Sequence, residues 1–509
     1  MPSPAPTGAA TTEPTIPASP EPTGPSTFPL AVVTGLKNHL SVIALDELAT
    51  FAADGKLVVP CGITVDAPAM SPTAACLPAD GVAAAILADQ HLVALLPPGL
   101  VQPVTKVLPI AGGGPFGLFG PDLFGDPQSR ALPYPITGTA TGSPLLDPAW
   151  TAYDASQVWT MTQVGSLCAD RGAAHQAVTL GKGWDWVFDG GTAKYKGPPF
   201  PNPNPPPGID QHPIVKPIET GNDGVTSSLS KRADVALAAH KCPIQLTKDW
   251  TPHDTATSLS FAVPEDVLSR WQDFLGIDAV YLPADHQSDR GIAGIRSTLK
   301  LLDKYGIPHT GLGLNLDGAL EPAFVQVGSH KLAFVSWDEV PGPTHASATA
   351  AGVAWLNHAN VIEAVRRARA GGADIVICDP MWWNGTEYPK AIWARMLKEV
   401  GWFDAAGCDQ VIGAGLHLAG PVLLGQGPTG APRFVLSGSG NYMFGQDFWQ
   451  YTQEGVILEE KFVGTTLVNV RLHPYVMIAA ARAALTDPET DGHYVLDRIW
   501  KISDLAYEP

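Results

Sequence analysis

The chain lacks most of the short signatures that assign an activity at sight. No Cys-x-x-Cys occurs, which removes a zinc ribbon and a thioredoxin-like redox site. Gly-x-Ser-x-Gly is absent, so there is no nucleophile elbow. Ser437 and Ser439 lie in a glycine-rich run, but neither has glycines two places to each side. A P-loop is missing, and Gly311-Leu312-Gly313 lacks the third glycine of a dinucleotide fingerprint. No apolar run reaches the roughly 18 residues that cross a bilayer. Ala83 to Leu100 comes closest and is broken by Asp89, Gln90 and His91. Positive charge is scarce, with 31 Lys and Arg against 49 Asp and Glu, and the formal net charge is −18. That balance argues against nucleic acid and against an anionic membrane surface as partners.

Proline and glycine, by contrast, are plentiful at 49 and 52, which predicts many turns and short elements. The opening tract, MPSPAPTGAATTEPTIPASPEPTGPSTFP, cannot form a core. It carries no signal peptide and reads as the tether that follows a cleaved signal or lipid anchor. The expectation is an exported, cell-surface protein; the alternative is a cytosolic chain with a disordered tail. Of six cysteines, Cys61 and Cys76 flank a loop-like segment and are expected to pair. Cys168 and Cys242 follow two strand-like runs and could meet across neighbouring strands. Cys378 ends an apolar strand and Cys408 precedes one, so these two are expected to be free and buried.

With 509 residues the chain is long enough for more than one core. The reading is a tether over 1–27, a small α/β domain over 28–134, a connector over 135–157, a main α/β domain over 158–480 and a C-terminal extension over 481–509. In the main domain, strands VWTMTQVGSL, DVALAAH, DAVYLPA, HKLAFVSW, DIVICDP and DQVIGAG alternate with helical stretches such as AGIRSTLKLLDKYG and NVIEAVRRARAGG. This spacing predicts a mostly parallel central sheet covered on both faces. The proline-rich segment Tyr195 to Thr220 reads as a long loop without regular structure.

The strand at Asp278 runs into Ala284-Asp285-His286-Gln287-Ser288-Asp289-Arg290-Gly291, then a helix with Thr298-Leu299, then Gly306-Ile307 and Gly311-Leu312-Gly313. Polar clusters at the carboxyl ends of strands are where open α/β sheets place their sites. This order resembles the CapA family of capsule and poly-γ-glutamate synthesis proteins. So does Ser437-Gly438-Ser439-Gly440-Asn441-Tyr442-Met443-Phe444-Gly445-Gln446. The resemblance spans roughly residues 158–475 and implies a metallophosphatase-like, calcineurin-like fold.

It also implies a two-metal ligand set that this chain has partly lost. The family's first strand ends in Gly-Asp, with Arg five residues on; here Gly165 is followed by Ser166, and Arg171 holds the Arg place. Lys241 stands where the second strand carries Glu, and a cation there repels a divalent metal. His240 could substitute only with a register shift. Asp285 and His286 replace Asn-His. The fourth segment, Met381-Trp382-Trp383-Asn384-Gly385-Thr386-Glu387-Tyr388, has no His. In the fifth, one His remains, His417.

The resemblance therefore implies at most one ion, zinc or manganese, on Asp285, His286 and His417. Catalysis would rest on Asp285, His286, Glu387 and His417, with Glu387 taking a proton from bound water. Arg171, Asn441, Trp382, Trp383 and Tyr442 would contact an anionic or other polymer. The bland reading of His286 and His417 is a pair of buried, hydrogen-bonded relics, and that of Asp289 is a helix cap. A metal-free scheme using Ser439 with either histidine stays open. Two functions follow: a hydrolase of ester, phosphoester or amide bonds in capsule metabolism, or a non-catalytic surface protein that binds the polymer. Oligomeric state is not set by the sequence.

Overall fold

Every residue of Val158–Leu167 is buried, the pattern of a strand covered on both faces. In the computed structural model this strand, β1, lies inside a ten-stranded sheet. The structure describes residues 26–66, 74–112, 116–125, 132–140, 154–197, 200–201, 213–214, 216–252, 259–388, 391–427, 430 and 432–505. β2 (Val235–His240) pairs parallel with β1, and β3 (Ile277–Tyr281) pairs parallel with β2. A second sheet has six strands, with β4 (His330–Asp338), β5 (Ile375–Met381), β6 (Gln410–Ile412) and β7 (Pro432–Leu436) parallel in that order. β8 (Asn441–Met443) returns to pair parallel with β1. β9 (Glu454–Val463) and β10 (Thr466–Ile478) then form a long antiparallel hairpin beside it.

The two sheets face each other. Met161, Leu237 and Tyr281 of one meet Phe334, Ile377 and Phe434 of the other in a continuous buried cluster. The outer face of the second sheet is covered by α2 (His358–Ala370) and α3 (Ala394–Ala406). The first is covered by α1 (Gly291–Tyr305) and the helical segment 266–275. α1 buries Ile295, Thr298, Leu301 and Leu302 on one stripe and ends at Gly306, whose φ of 66° suits a left-handed cap. The architecture is a two-sheet α/β arrangement with its site-bearing strands parallel. Periodicity alone predicted one central sheet. It did not reveal the second sheet or the antiparallel hairpin.

A smaller α/β domain precedes this core. Its five strands run in the order 75–77, 57–60, 93–96, 31–35 and 105–108. It packs on the β9–β10 hairpin, where the Val107 amide donates to Asn469 Oδ1 at 3.0 Å.

Several boundaries differ from expectation. Of the expected tether, 1–25 lie outside the described residues, while Ser26–Pro29 pair with Thr137–Ala140. The connector thus contains a strand, and its residues 141–153 lie outside the description. Part of the expected proline-rich loop is a strand: Pro217–Gly221 edges the large sheet against Gly191–Tyr195. Proline is tolerated there because it opens an edge strand; residues 202–212 lie outside the description. The C-terminal stretch is no extension. Arg482–Leu485 sits inside the large sheet, and the helix His493–Ile502 buries Val495, Leu496 and Ile499 between the sheets.

Cys61 pairs with Cys76, and Cys168 with Cys242. Cys378 and Cys408 are also bonded, correcting the expectation that both are free. Cys378 is in mid-strand, and register sets it opposite Val411. The start of β6 therefore lies beside the middle of β5, within reach of Cys408. No described cysteine is free. The denatured, unreduced protein should show no reactive thiol, and six after reduction. Replacing Cys378 and Cys408 together by Ser should lower unfolding free energy by roughly 2–4 kcal/mol in a denaturant titration.

Candidate functional site

Five parallel strands end at one edge of the two-sheet core, and the residues just beyond them meet. Lys241 follows β2 and is fully buried. Its Nζ lies 3.1 Å from Glu387 Oε1, 3.5 Å from Asp285 Oδ1 and 3.0 Å from the carbonyl of Gly415. Burial works against the ammonium, but the Asp285 and Glu387 carboxylates outweigh it and hold its pKa above the ordinary lysine value. Burial likewise works against the Glu387 carboxylate. The ammonium and the His417 ring prevail and hold Glu387 well below the usual carboxylate range.

Two imidazoles flank this centre. His286 Nε2 is 3.1 Å from Asp285 Oδ2, and its Nδ1 is 2.9 Å from Asp289 Oδ2. His417 Nδ1 donates to Asn441 Oδ1 at 2.7 Å, while the Asn441 amide donates to the Thr452 carbonyl at 3.1 Å. That arrangement turns His417 Nε2 toward Glu387 Oε2 at 3.6 Å and Gln446 Nε2 at 3.3 Å. The Phe444 ring lies under the site, with centroids 4.9 Å from His417 and 6.3 Å from His286. Tyr388 stacks on His417 at 5.3 Å.

Backbone shape permits this closeness. A Cβ on Gly165 would lie 2.2 Å from the carbonyl of Gly440, so β1 and the Ser439–Asn441 turn approach only as glycine. Gly440 itself has φ of 82°. Arg171 also takes a positive φ, 47°, and its guanidinium lies 4.5 Å from the Phe261 ring. Phe261 in turn meets the His286 ring edge-on at 4.4 Å.

The sequence-derived set therefore converges in part. Asp285, His286, Glu387, His417 and Asn441 form one network, and Arg171 borders it through Phe261. Trp383 is half-buried and packs beside Ala284 and Met381 at its margin. Trp382 and Tyr442 do not join it. Trp382 is a core ring against Trp393 and Phe403, and Tyr442 packs on Tyr475. Asp289 does not cap α1, whose first residue is preceded by Arg290. Its carboxylate accepts from the Phe261 amide at 2.7 Å and faces His286. His240 is buried against Trp271 with its Nδ1 3.2 Å from the Leu167 carbonyl, and it joins no group of three or more such ligands among the described residues, so it is no substitute ligand. Ser439 Oγ is buried without a hydrogen-bond partner among the described atoms, so it is not paired with either histidine.

Sequence reasoning missed Asp338, the last residue of β4. Its Oδ1 accepts from the Val340 amide at 2.8 Å, and burial pushes its pKa well above the usual range. The signal was present, since Asp338 ends an apolar strand as Asp285 nearly does. Phe261 had no such signal.

The donor set does not fit a divalent metal. Asp285, His286 and His417 converge, but the Lys241 ammonium lies between Asp285 and Glu387. Among the described residues no group of three or more His, Cys, Asp or Glu is arranged to hold an ion. Lys241 supplies the cation that the carboxylates require.

Residues 218–446 match the family described as bacterial capsule synthesis protein PGA_cap, in agreement with the resemblance carried by the sequence motifs. No curated protein matches the chain. Among solved structures, NAD nucleotidase (NadN) of Haemophilus influenzae is similar at 12% identity over 68% of this chain and 57% of that one, with a TM-score of 0.33. The 5'-nucleotidase precursor of Thermus thermophilus is similar at 14% identity over 68% and 58%, with a TM-score of 0.33. The calcineurin-like phosphoesterase YfkN of Bacillus subtilis is similar at 10% identity over 68% and 98%, with a TM-score of 0.35. The chain thus spans under two thirds of the first two.

Replacing Lys241 by Met leaves two carboxylates without their cation and should cost about 3–5 kcal/mol near neutral pH. The sign with pH follows from Glu387, whose folded pKa is depressed. Its contribution is complete above the unfolded value of 4.5 and declines as pH falls below it. The stability gap between wild type and Lys241→Met should therefore be flat above that value and narrow on acidification. Urea titrations at a series of pH values measure it; a gap that widens in acid contradicts the assignment.

Proposed function

We propose that this chain acts in bacterial capsule production at the cell envelope, and that its site binds a polymer without metal-assisted cleavage. The starting point is the PGA_cap match over residues 218–446. The observation that carries the second half is Lys241. An ammonium between Asp285 and Glu387 has no open coordination position and cannot generate a metal-bound hydroxide. Glu387, held strongly ionised, is a poor proton acceptor. The general base of the hydrolytic scheme is therefore the group least suited to that task.

Three disulfides support an exported location, because cytosolic thiols are kept reduced. No helix among the described residues is long and apolar enough to cross a membrane. The polymer is read as anionic, as poly-γ-glutamate is. Arg171 and His286 would meet its carboxylates, and the Trp383 and Tyr388 rings would border the chain. Metal-free hydrolysis is the second reading, favoured by one feature: Asp289 holds His286 Nδ1 at 2.9 Å as an orienting carboxylate does, although Nε2 would have to leave Asp285 to meet a substrate.

One set of measurements separates these readings. Purified full-length protein is assayed for bound metal, for poly-γ-glutamate binding, and for hydrolysis of phosphoester, carboxylic ester and γ-glutamyl amide substrates with and without chelator. Binding should occur without turnover and weaken about tenfold or more in Arg171→Gln. Metal-stimulated turnover lost in His417→Ala would overturn the proposal. Chelator-insensitive turnover lost in His286→Ala would favour the second reading. Lys241→Glu should gain affinity for manganese or zinc relative to wild type, read by equilibrium dialysis, because it replaces the occupying cation with a ligand.

A further inference from the structure

The small N-terminal domain closes a cavity of about 340 Å³ against the β10 side of the large sheet. Val42, Pro109 and Phe116 line it from the small domain, and Arg471, Pro474 and Leu485 from the main one. A narrower recess shares Ser41, Arg471 and His473 with this cavity and adds Lys106. No carboxylate is among the described residues that line either space; Glu489 stands at the rim, where it accepts from the Ser41 amide and hydroxyl at 2.9 and 2.7 Å. In a chain of net charge −18 this is a local reversal of sign.

The charges behind the wall offset it only in part: Glu459 attracts Arg471, and Glu489 attracts Lys106. Glu459 stands across the hairpin from Arg471. Its oxygens are taken by Lys461 at 2.7 Å and by His473 Nε2 at 2.5 Å. Burial pulls the His473 pKa down to about 4, so that ring is neutral at pH 7. Lys106 is buried and donates to the Asn38 carbonyl, a neutral acceptor. Burial and then the Arg471 charge push its pKa down to about 7, against a smaller pull from Glu489 at the surface. Arg471 and the protonated form of Lys106 thus repel each other across a recess that opens into an apolar chamber, and a bound anion would favour that protonated form. An anion placed between them removes that repulsion and gains the low-dielectric strength of the contact.

We infer that this junction is a binding site for a small organic carboxylate with an apolar body. Its carboxylate faces Arg471 and Lys106, and its body lies against Val42, Pro109, Phe116 and Leu485. The guanidinium fork matches the two oxygens of a carboxylate. The chamber is large enough for an amphipathic monoanion and lies within the range of small-molecule sites. Because both domains supply wall, the ligand would join them. The site is separate from the Lys241 centre and does not depend on the reading given to that centre.

The test uses full-length protein and isothermal titration with 4-phenylbutyrate, its neutral amide, and inorganic phosphate. Saturable binding of 4-phenylbutyrate is expected, with little from the amide or phosphate. Arg471→Met should raise Kd by at least about tenfold, since it removes the half-buried guanidinium that pairs with the carboxylate. Val42→Trp, at a half-exposed lining position, should do the same by filling the chamber with both cations intact, and decides the matter if Arg471→Met does not fold. Arg171→Gln should leave binding unchanged. No binding of 4-phenylbutyrate, an equal response to the amide, stronger binding of phosphate, or a Kd unchanged in Val42→Trp would each overturn the inference.

Discussion

A single buried ammonium ties together the loops from which the candidate site is made. Lys241 reaches from the end of β2 to Asp285 beyond β3, to Glu387 beyond β5 and to the Gly415 carbonyl beyond β6. Each partner alone would be an expensive thing to bury. An ion pair in a poor dielectric repays its desolvation only when geometry is good and the remaining lone pairs are satisfied. Here one cation serves two carboxylates and a carbonyl, and His417 completes Glu387. The result is a set of loops from two different sheets that hold one arrangement.

The aromatic and glycine residues around this centre follow from that closeness. Gly165 and Gly440 allow two backbones to touch where any side chain would collide. The space left under the imidazoles is filled by Phe444, and Phe261 closes the side toward Arg171. These rings exclude water from the Lys241 contacts and so strengthen them. They also leave Arg171, His286 and Tyr388 as the polar groups nearest the margin. The fold alone does not choose between binding and hydrolysis; the charge at the centre is what favours the proposed binding role.

Much of this was legible in the sequence where a residue's role depends on its neighbours in the chain. The parallel strands and α1 were readable from apolar spacing. Asp285 and His286 announced themselves as polar residues directly after a buried strand. The second sheet was hidden because a buried strand has the same pattern in either sheet. The Cys378–Cys408 bond depends on a stagger between β5 and β6 that local sequence does not encode. Lys241 was legible as an obstacle to a metal. Its part as the hub was not, because that requires knowing that Asp285 and Glu387 lie on either side of it. Trp382 and Tyr442 were misplaced for a related reason. An aromatic residue beside a strand end looks the same whether it turns toward the cleft or the core.

An internal cation differs from a metal in more than charge. A divalent ion can leave, and its occupancy depends on supply, whereas an ammonium on a buried stem stays at full occupancy wherever the chain is folded. It carries one charge in place of two, offers three directed donors and no vacant position, and cannot acidify a water. It can neutralise carboxylates and fix loops, and these are the tasks it performs between Asp285 and Glu387. Turnover at this centre would therefore have to come from the imidazoles alone. His417 is committed to Asn441 and Gln446 within the core, so the burden would fall on His286, the one ring with an exposed side. An arrangement that spends its carboxylates on a lysine and one histidine on an asparagine holds its loops as a bound ion would, and that economy is the physical ground of the proposed polymer-binding role.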